Sequence, residues 1–257
     1  MIKFVSLGSG SSGNAHYIET SNTKILIDCG INGKTLQSRL NEIGVSPEEL
    51  DGIVLTHEHR DHVAGVGIAS RKYNLKIYAN EKTIMESFPI IGKVDFNNIR
   101  VFKSNFRIND LLIEPFNVSH DAKDPVQFTI KNEDRKITIL TDLGIVTDEI
   151  LEKTKDSDIF LVEANHDVDL LLNGRYKYTL KRRILSSKGH LSNEDAGKFL
   201  IKQRVKKSNH VVLAHLSSEN TTEEITFNHV KNMLVKENLP CNLSLSYRNK
   251  IGKIIEL

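Results

Sequence analysis

Thr56-His57-Glu58-His59-Arg60-Asp61-His62 places three imidazoles and a carboxylate within six positions, in the spacing H-x-H-x-D-H. It follows the apolar run at residues 52–56, which reads as a short buried strand. Two histidines two apart in an extended segment point the same way. Asp61 and His62, at the start of the next helix, turn toward a second point close by. Two neighbouring points of ligation suit two metal ions. Imidazole and carboxylate without thiolate fit zinc or manganese, and also iron, so the donors fix a dinuclear site better than they fix the element. Histidine is only 10 of 257 residues, so four such fixed positions rarely coincide by chance.

A dinuclear site needs further ligands, and polar residues that end apolar strands are the candidates. His120 follows the run at 115–118, Asp142 ends 137–141 and His215 ends 211–214. Asp142 is a candidate bridge. A hydroxide shared by two cations would be the nucleophile, and the same cations would stabilise charge on a phosphoryl or carbonyl oxygen. Asp28, ending the run at 24–28, is expected as a structural acceptor beside the site, and Cys29 as a small core residue.

The surrounding chain reads as mixed α/β. Strands are expected at 2–7, 15–19, 24–28, 52–56, 76–79, 99–102, 111–118, 126–130, 136–141, 158–163 and 210–214. Helices are expected at 33–44, where Leu36, Leu40 and Ile43 recur at helical spacing, and at 62–73, 81–88, 192–204 and 223–237. No internal repeat, low-complexity tract or Pro/Gly/Ser-rich linker divides the 257 residues, so one domain over 1–257 is expected. No stretch approaches the roughly 18 apolar residues that would span a bilayer. Two cysteines, Cys29 and Cys241, exclude a disulfide scaffold, and residues 1–6 carry no signal-peptide core, so a soluble cytoplasmic protein is expected. Composition is silent on oligomeric state. The net charge of +2 means that any affinity for nucleic acid must come from a local patch.

Gly8, Gly10 and Gly13 follow the first strand as G-x-G-x-x-G, with Asp28 twenty residues after Gly8, the formal fingerprint of a dinucleotide site. A crossover helix of at least about ten to twelve residues is needed there. Only residues 14–23 are available, and they read as a hairpin. A glycine turn is therefore expected. Its backbone N–H groups, with Ser9, Ser11, Ser12 and Asn14, suit a phosphate.

His57, His59, Asp61, His62, His120, Asp142 and His215 together resemble the ligand pattern of the metallo-β-lactamase fold superfamily. Within it, SLGSGSSGN (6–14), THEHRDH (56–62), VEANHD (162–167), LKRRILSSKGHLSN (180–193) and AHLSSEN (214–220) look like the YycJ/WalJ branch. The resemblance implies a four-layer αβ/βα sandwich and a metal-dependent exonuclease acting on DNA in the 5′-to-3′ direction, with an active site similar to those of RNase Z and RNase J. It implies one metal on His57, His59, His120 and Asp142, and another on Asp61, His62, Asp142 and His215. In RNase Z-like enzymes a Glu-Ala pair and a later histidine donate a proton, and Glu163-Ala164 and His190 match those positions. A protonated imidazole held by a carboxylate can deliver its proton to the leaving 3′-oxygen. His166 and Asp167, beside Glu163, are expected as supporting or substrate contacts, with His166 a rival to His215 as ligand.

Residues 174–190 carry Arg175, Lys177, Lys181, Arg182, Arg183 and Lys188 and no acid, with Tyr176 and Tyr178 interleaved. Cations neutralise phosphates and tyrosines offer stacking faces, so this segment reads as a nucleic-acid channel leading to His190, for DNA before RNA. Related sequences carry prolines where this chain has Arg175 and Lys177. An RNA-processing nuclease of RNase Z type is the nearer alternative. A thioester or lactone hydrolase would share the metal site but has no use for the basic segment. A non-catalytic relic would not be expected to keep every ligand.

Overall fold

The computed structural model describes residues Met1 to Leu257. Its strands are β1 (Lys3–Gly8), β2 (Ala15–Glu19), β3 (Lys24–Ile27), β4 (Gly52–Val54), β5 (Lys76–Ala79), β6 (Ile99–Val101), β7 (Phe106–Ile108), β8 (Leu111–Asn117), β9 (Val126–Lys131), β10 (Lys136–Leu140), β11 (Ile159–Glu163), β12 (His210–Ala214), β13 (Asn242–Leu245) and β14 (Ile255–Glu256). They form two seven-stranded sheets, ordered β14-β1-β2-β3-β4-β5-β6 and β13-β12-β11-β10-β9-β8-β7. Each half of the chain starts antiparallel and finishes parallel: β1 to β3 and then β3 to β6, β7 to β10 and then β10 to β13.

The central strands are apolar on both faces, because both faces are covered. Ile25 and Ile27 of β3 face inward with Ile139 of β10, Leu161 of β11 and Val212 of β12, in a core between the sheets. Leu26, pointing the other way, packs with Leu36 and Leu40 of the helix Gly33–Glu42. Phe160 and Val162 of β11 likewise pack with Phe199 and Leu200 of the helix Asn193–Lys202. Full burial of such a side chain contributes about 1.5–3 kcal/mol. Period-two alternation thus sends each strand's residues into two different cores, and the layers stack as αβ/βα.

Several elements differ from the expectations. The helix expected at 62–73 is two, Arg60–Val63 and Val66–Tyr73. The break falls at Gly65, where a Cβ would lie 2.1 Å from the Ile31 carbonyl oxygen, so the turn is fitted to a close backbone approach. The helix expected to stop at Phe88 runs through Pro89 to Ile91 and ends at Gly92, at φ 69°. β7, β13 and β14, and the helices Asp148–Thr154, Val168–Asn173 and Tyr178–Ile184, are too short to show a period in sequence.

The glycine-rich stretch joins two antiparallel strands, with a register shift between Ser6 and Gly8, and no crossover helix follows it. It serves instead as a brace. Asn14 N–H donates to the Asp61 carbonyl at 2.7 Å and Gly30 N–H to the Asn14 carbonyl at 2.8 Å. A Cβ on Gly30 would lie 1.7 Å from the Asp61 oxygen. Gly30→Ala is therefore expected to destabilise the fold by roughly 3 kcal/mol, read as a lowered Tm, and to loosen the turn that carries Asp61 and His62.

Candidate metal centre

The polar residues of the site sit where strands of both sheets end, the position at which open α/β sheets present ligands. Asp28 follows β3, His57 follows β4, Asp142 follows β10 and His215 follows β12, while Glu163 is the last residue of β11. Asp28, Asp142 and His215 have φ of 58°, 53° and 55°. Aspartate and histidine are among the few residues that tolerate this left-handed region, and it turns the chain sharply away from each strand. The strain is concentrated where the side chains converge.

Four of the imidazoles use Nδ1 to hold their orientation. His62 Nδ1–H donates to Asp28 Oδ2 at 2.7 Å, His215 Nδ1–H to Glu163 Oε1 at 2.7 Å and His120 Nδ1–H to the Gly189 carbonyl at 3.2 Å, and His57 Nδ1 lies 3.0 Å from Thr56 Oγ1. The other nitrogens face the centre. His62 Nε2 is 3.3 Å from Asp142 Oδ2, His215 Nε2 is 3.5 Å from Asp142 Oδ1, and both are 3.6 Å from Asp61 Oδ2. His120 Nε2 is 3.3 Å from His59 Nδ1 and 3.9 Å from Asp142 Oδ1.

The ligating atoms of His57, His59 and His120 lie within 4.8 Å of one another, as do those of Asp61, His62 and His215, and those of His57, His62 and Asp142. His57 Nε2, Asp142 Oδ2 and His215 Nε2 are buried without a hydrogen bond. Buried polar atoms left unpaired around a common centre are what a divalent cation satisfies when it displaces their protons, so the donor set fits one.

The electrostatics agree. Burial opposes charge on His62, yet Asp142, Asp28 and Asp61 hold it protonated well above the usual imidazole range. Burial likewise opposes charge on His215, and Asp142, Asp61 and Glu163 overcome it. Asp142 is held ionised against burial by His215 and His62. Burial drives His57 well below its ordinary value, leaving a neutral donor. The centre thus stabilises positive charge at the atoms that face it.

Asp28 also accepts from Thr56 N–H at 2.9 Å and from Thr56 Oγ1 at 2.8 Å, so one carboxylate fixes both His62 and the strand end that carries His57. Asp28→Asn should weaken metal affinity about 10- to 100-fold, read by competition with a chelating dye, because the amide no longer fixes the ring tautomer.

Glu163 is fully buried and its Oε1 accepts from His190 Nδ1–H at 2.8 Å as well as from His215. Its Oε2 accepts from the N–H groups of Leu143, at 3.3 Å, and Leu191, at 3.1 Å. Burial works against its charge, but the two histidines hold its pKa at about 2. His190 in turn is raised above the imidazole range, burial opposing and Glu163 prevailing. Its Nε2 makes no protein hydrogen bond.

A cavity of about 260 Å³ opens over these groups. His59, Asp61, His120, Asp142, His190 and His215 form its floor, and Tyr176, Leu180, Arg183 and Ile184 of the basic segment form a wall, with Ser11 at the rim. None of the other expected substrate contacts lines the cavity. Ser9 Oγ accepts from His215 N–H at 2.8 Å behind the site. Asn14 is buried at the edge of the centre, its Oδ1 accepting from Gly10 N–H at 2.8 Å and its Nδ2 lying 3.3 Å from Asp61 Oδ2 and 3.0 Å from His62 Nε2. Ser12 is exposed on the turn. Lys181 Nζ caps a helix end, donating to the carbonyls of Leu172 and Gly174 at 2.7 Å each. Arg182 lies over the Tyr178 ring at 5.9 Å, and Lys188 is exposed and does not line the cavity.

His166 is buried with both ring nitrogens unpaired, and it belongs to none of the groups of ligating atoms. Asp167 caps the helix Val168–Asn173 by accepting from Leu170 N–H at 3.0 Å. Two residues escaped the sequence reading. His16, held to a pKa of about 3 by burial and by nearby His62, bonds Ser6 Oγ at 3.1 Å, and inside the strand at 15–19 it carries no motif that marks it. Asp121 lines the cavity, and its only sequence signal was adjacency to His120.

Residues 23–215 match the family described as "Beta-lactamase superfamily domain". The chain is 43% identical over 241 residues to exodeoxyribonuclease WalJ of Streptococcus pneumoniae serotype 2, covering 92% of this chain and 90% of that protein. It is 37% identical over 235 residues to exodeoxyribonuclease YycJ of Bacillus anthracis, covering 91% and 89%. The metallo-β-lactamase fold protein YhfI from Bacillus subtilis superposes with a TM-score of 0.75 over 98% of this chain and 100% of that one, at 16% identity, which speaks to fold alone. With the site in place at the strand ends and relatives matched along most of their length, the chain belongs to the metallo-β-lactamase superfamily and, within it, to the WalJ/YycJ family.

Proposed function

We propose that this protein is a DNA exonuclease, a metal-dependent phosphodiesterase that removes nucleotides from the 5′ end. One domain, residues 1–257, carries the activity. One cation would be held by His57, His59, His120 and Asp142 and a second by Asp61, His62, Asp142 and His215, with zinc or manganese favoured by the donors. When bound, the cations supply Lewis acidity toward the phosphoryl oxygens and acidify water.

The chain's own groups do the rest. Asp61 and Asp142 gather positive charge at the floor of the cavity. His190, protonated and oriented by Glu163, holds a proton at Nε2 for the leaving 3′-oxygen. Glu163 fixes His190 and His215 with a single oxygen, so the proton donor is registered against the ligand set. That shared carboxylate is the observation that carries the reading. Arg183 and Tyr176 in the wall, within a segment of six cations, favour a polyanion over a thioester or lactone.

The test is digestion of end-labelled DNA and RNA, alongside a thioester and a lactone, with Mn²⁺ or Zn²⁺ and with chelator. Metal-dependent shortening of DNA is expected. Intact DNA with RNA or ester turnover would replace the substrate and leave the site assignment standing. No helix is long and apolar enough to cross a membrane.

A further inference from the structure

Arg183 is the one guanidinium that lines the catalytic cavity, and the way it is held defines a role for a neighbouring acid. Its Nε–H donates to Asp121 Oδ2 at 2.5 Å, and no protein acceptor takes either Nη group. The other oxygen, Asp121 Oδ1, lies 3.4 Å from His120 Nε2. Asp121 therefore joins the basic helix Tyr178–Ile184 to the loop that carries a metal-ligating histidine.

An acid at the mouth of a cavity built for phosphate repels its substrate unless something neutralises and uses it. Here it is paired with an arginine, and the pairing occupies only the Nε edge. A guanidinium fixed by Nε keeps both Nη groups as a planar fork, the geometry that grips two oxygens of one phosphate. Without Asp121 the side chain, which is more than half exposed, would sample many rotamers, and ordering it would cost binding free energy.

We propose that Asp121 is a positioning residue that holds Arg183 as a phosphate clamp over the metal centre. The proposal rests on the nucleic-acid reading above and deepens it by naming which cation of the basic segment reads the phosphate at the site and what aims it. Of the six cations of the segment Arg183 alone lines the cavity, while Lys181 caps a helix and Arg182 lies over a tyrosine face.

The test is binding of a fluorescent oligonucleotide to metal-free protein in chelator, so that the readout is independent of turnover. Asp121→Asn keeps the shape and removes the charge. Its Kd is expected to rise about tenfold, as is that of Arg183→Ala. The double variant should be no weaker than Arg183→Ala within about twofold, because Asp121 acts only through Arg183. Arg183→Lys should not restore binding, since an ammonium lacks the fork. In the metal-loaded enzyme, KM should rise more than kcat falls.

An unchanged or tighter Kd in Asp121→Asn, as simple relief of repulsion would give, overturns the proposal. So do multiplicative effects in the double variant, or loss of metal from Asp121→Asn, which would make Asp121 a support for His120. Failure of the unsubstituted protein to bind DNA at all would overturn the nucleic-acid reading and this proposal with it.

Discussion

Asp142→Ala is expected to lower DNA cleavage about a thousandfold, on the order of 4 kcal/mol of transition-state stabilisation, and to reduce bound metal. Asp142 is the carboxylate that approaches both sides of the centre, through Oδ2 toward His62 and through Oδ1 toward His215 and His120. It is also the strongest counter-charge for both His62 and His215, after burial. Removing it leaves two buried imidazoles that prefer a proton with fewer partners, so both cation affinity and fold stability should fall. Metal analysis of the purified variant beside its cleavage rate checks this. A variant that keeps its full metal content and cuts normally would exclude Asp142 from the ligand set.

His190→Ala should be nearly as damaging to cleavage, by roughly 10²- to 10⁴-fold in kcat, while the metal content stays unchanged. The two losses separate by leaving group. A 3′-alkoxide must be protonated as it departs, whereas p-nitrophenolate leaves without help, so a p-nitrophenyl phosphodiester should be cut by His190→Ala at close to the unsubstituted rate. The pH dependence has a definite sign. Glu163 raises the pKa of His190 against burial, and a general acid works only when protonated. Activity should therefore hold below that raised pKa and decline as pH climbs through it, and His190→Ala should lose this alkaline limb. An equal loss on both substrates would make His190 a structural residue.

Much of the centre was legible because its chemistry is dense in sequence. H-x-H-x-D-H occupies one short turn, and His120, Asp142 and His215 each follow a run that reads as a strand. The long central strands were legible for the same reason, with alternation set by two cores. The contacts made by the glycine-rich turn were not. Ser9 and Asn14 look like phosphate donors in sequence, yet tertiary packing spends them on His215 and on the Asp61 turn. Lys181 counts as positive charge in sequence, and only the fold shows that its ammonium is taken up by two carbonyls. Asp121 was hidden because its meaning depends on a partner sixty-two residues away. Short strands such as β14 owe their existence to a neighbour's edge, pairing Ile255 with Phe4, and carry no period of their own.

The most direct measurement is the release of label from 5′-labelled DNA by protein loaded with Mn²⁺, against the same protein stripped by chelator. The label is expected to leave as mononucleotide from the earliest time points, only in the loaded protein, and about a thousandfold more slowly from Asp142→Ala. Label retained on long fragments, or release that survives metal removal, would contradict a metal-dependent exonuclease working from the 5′ end.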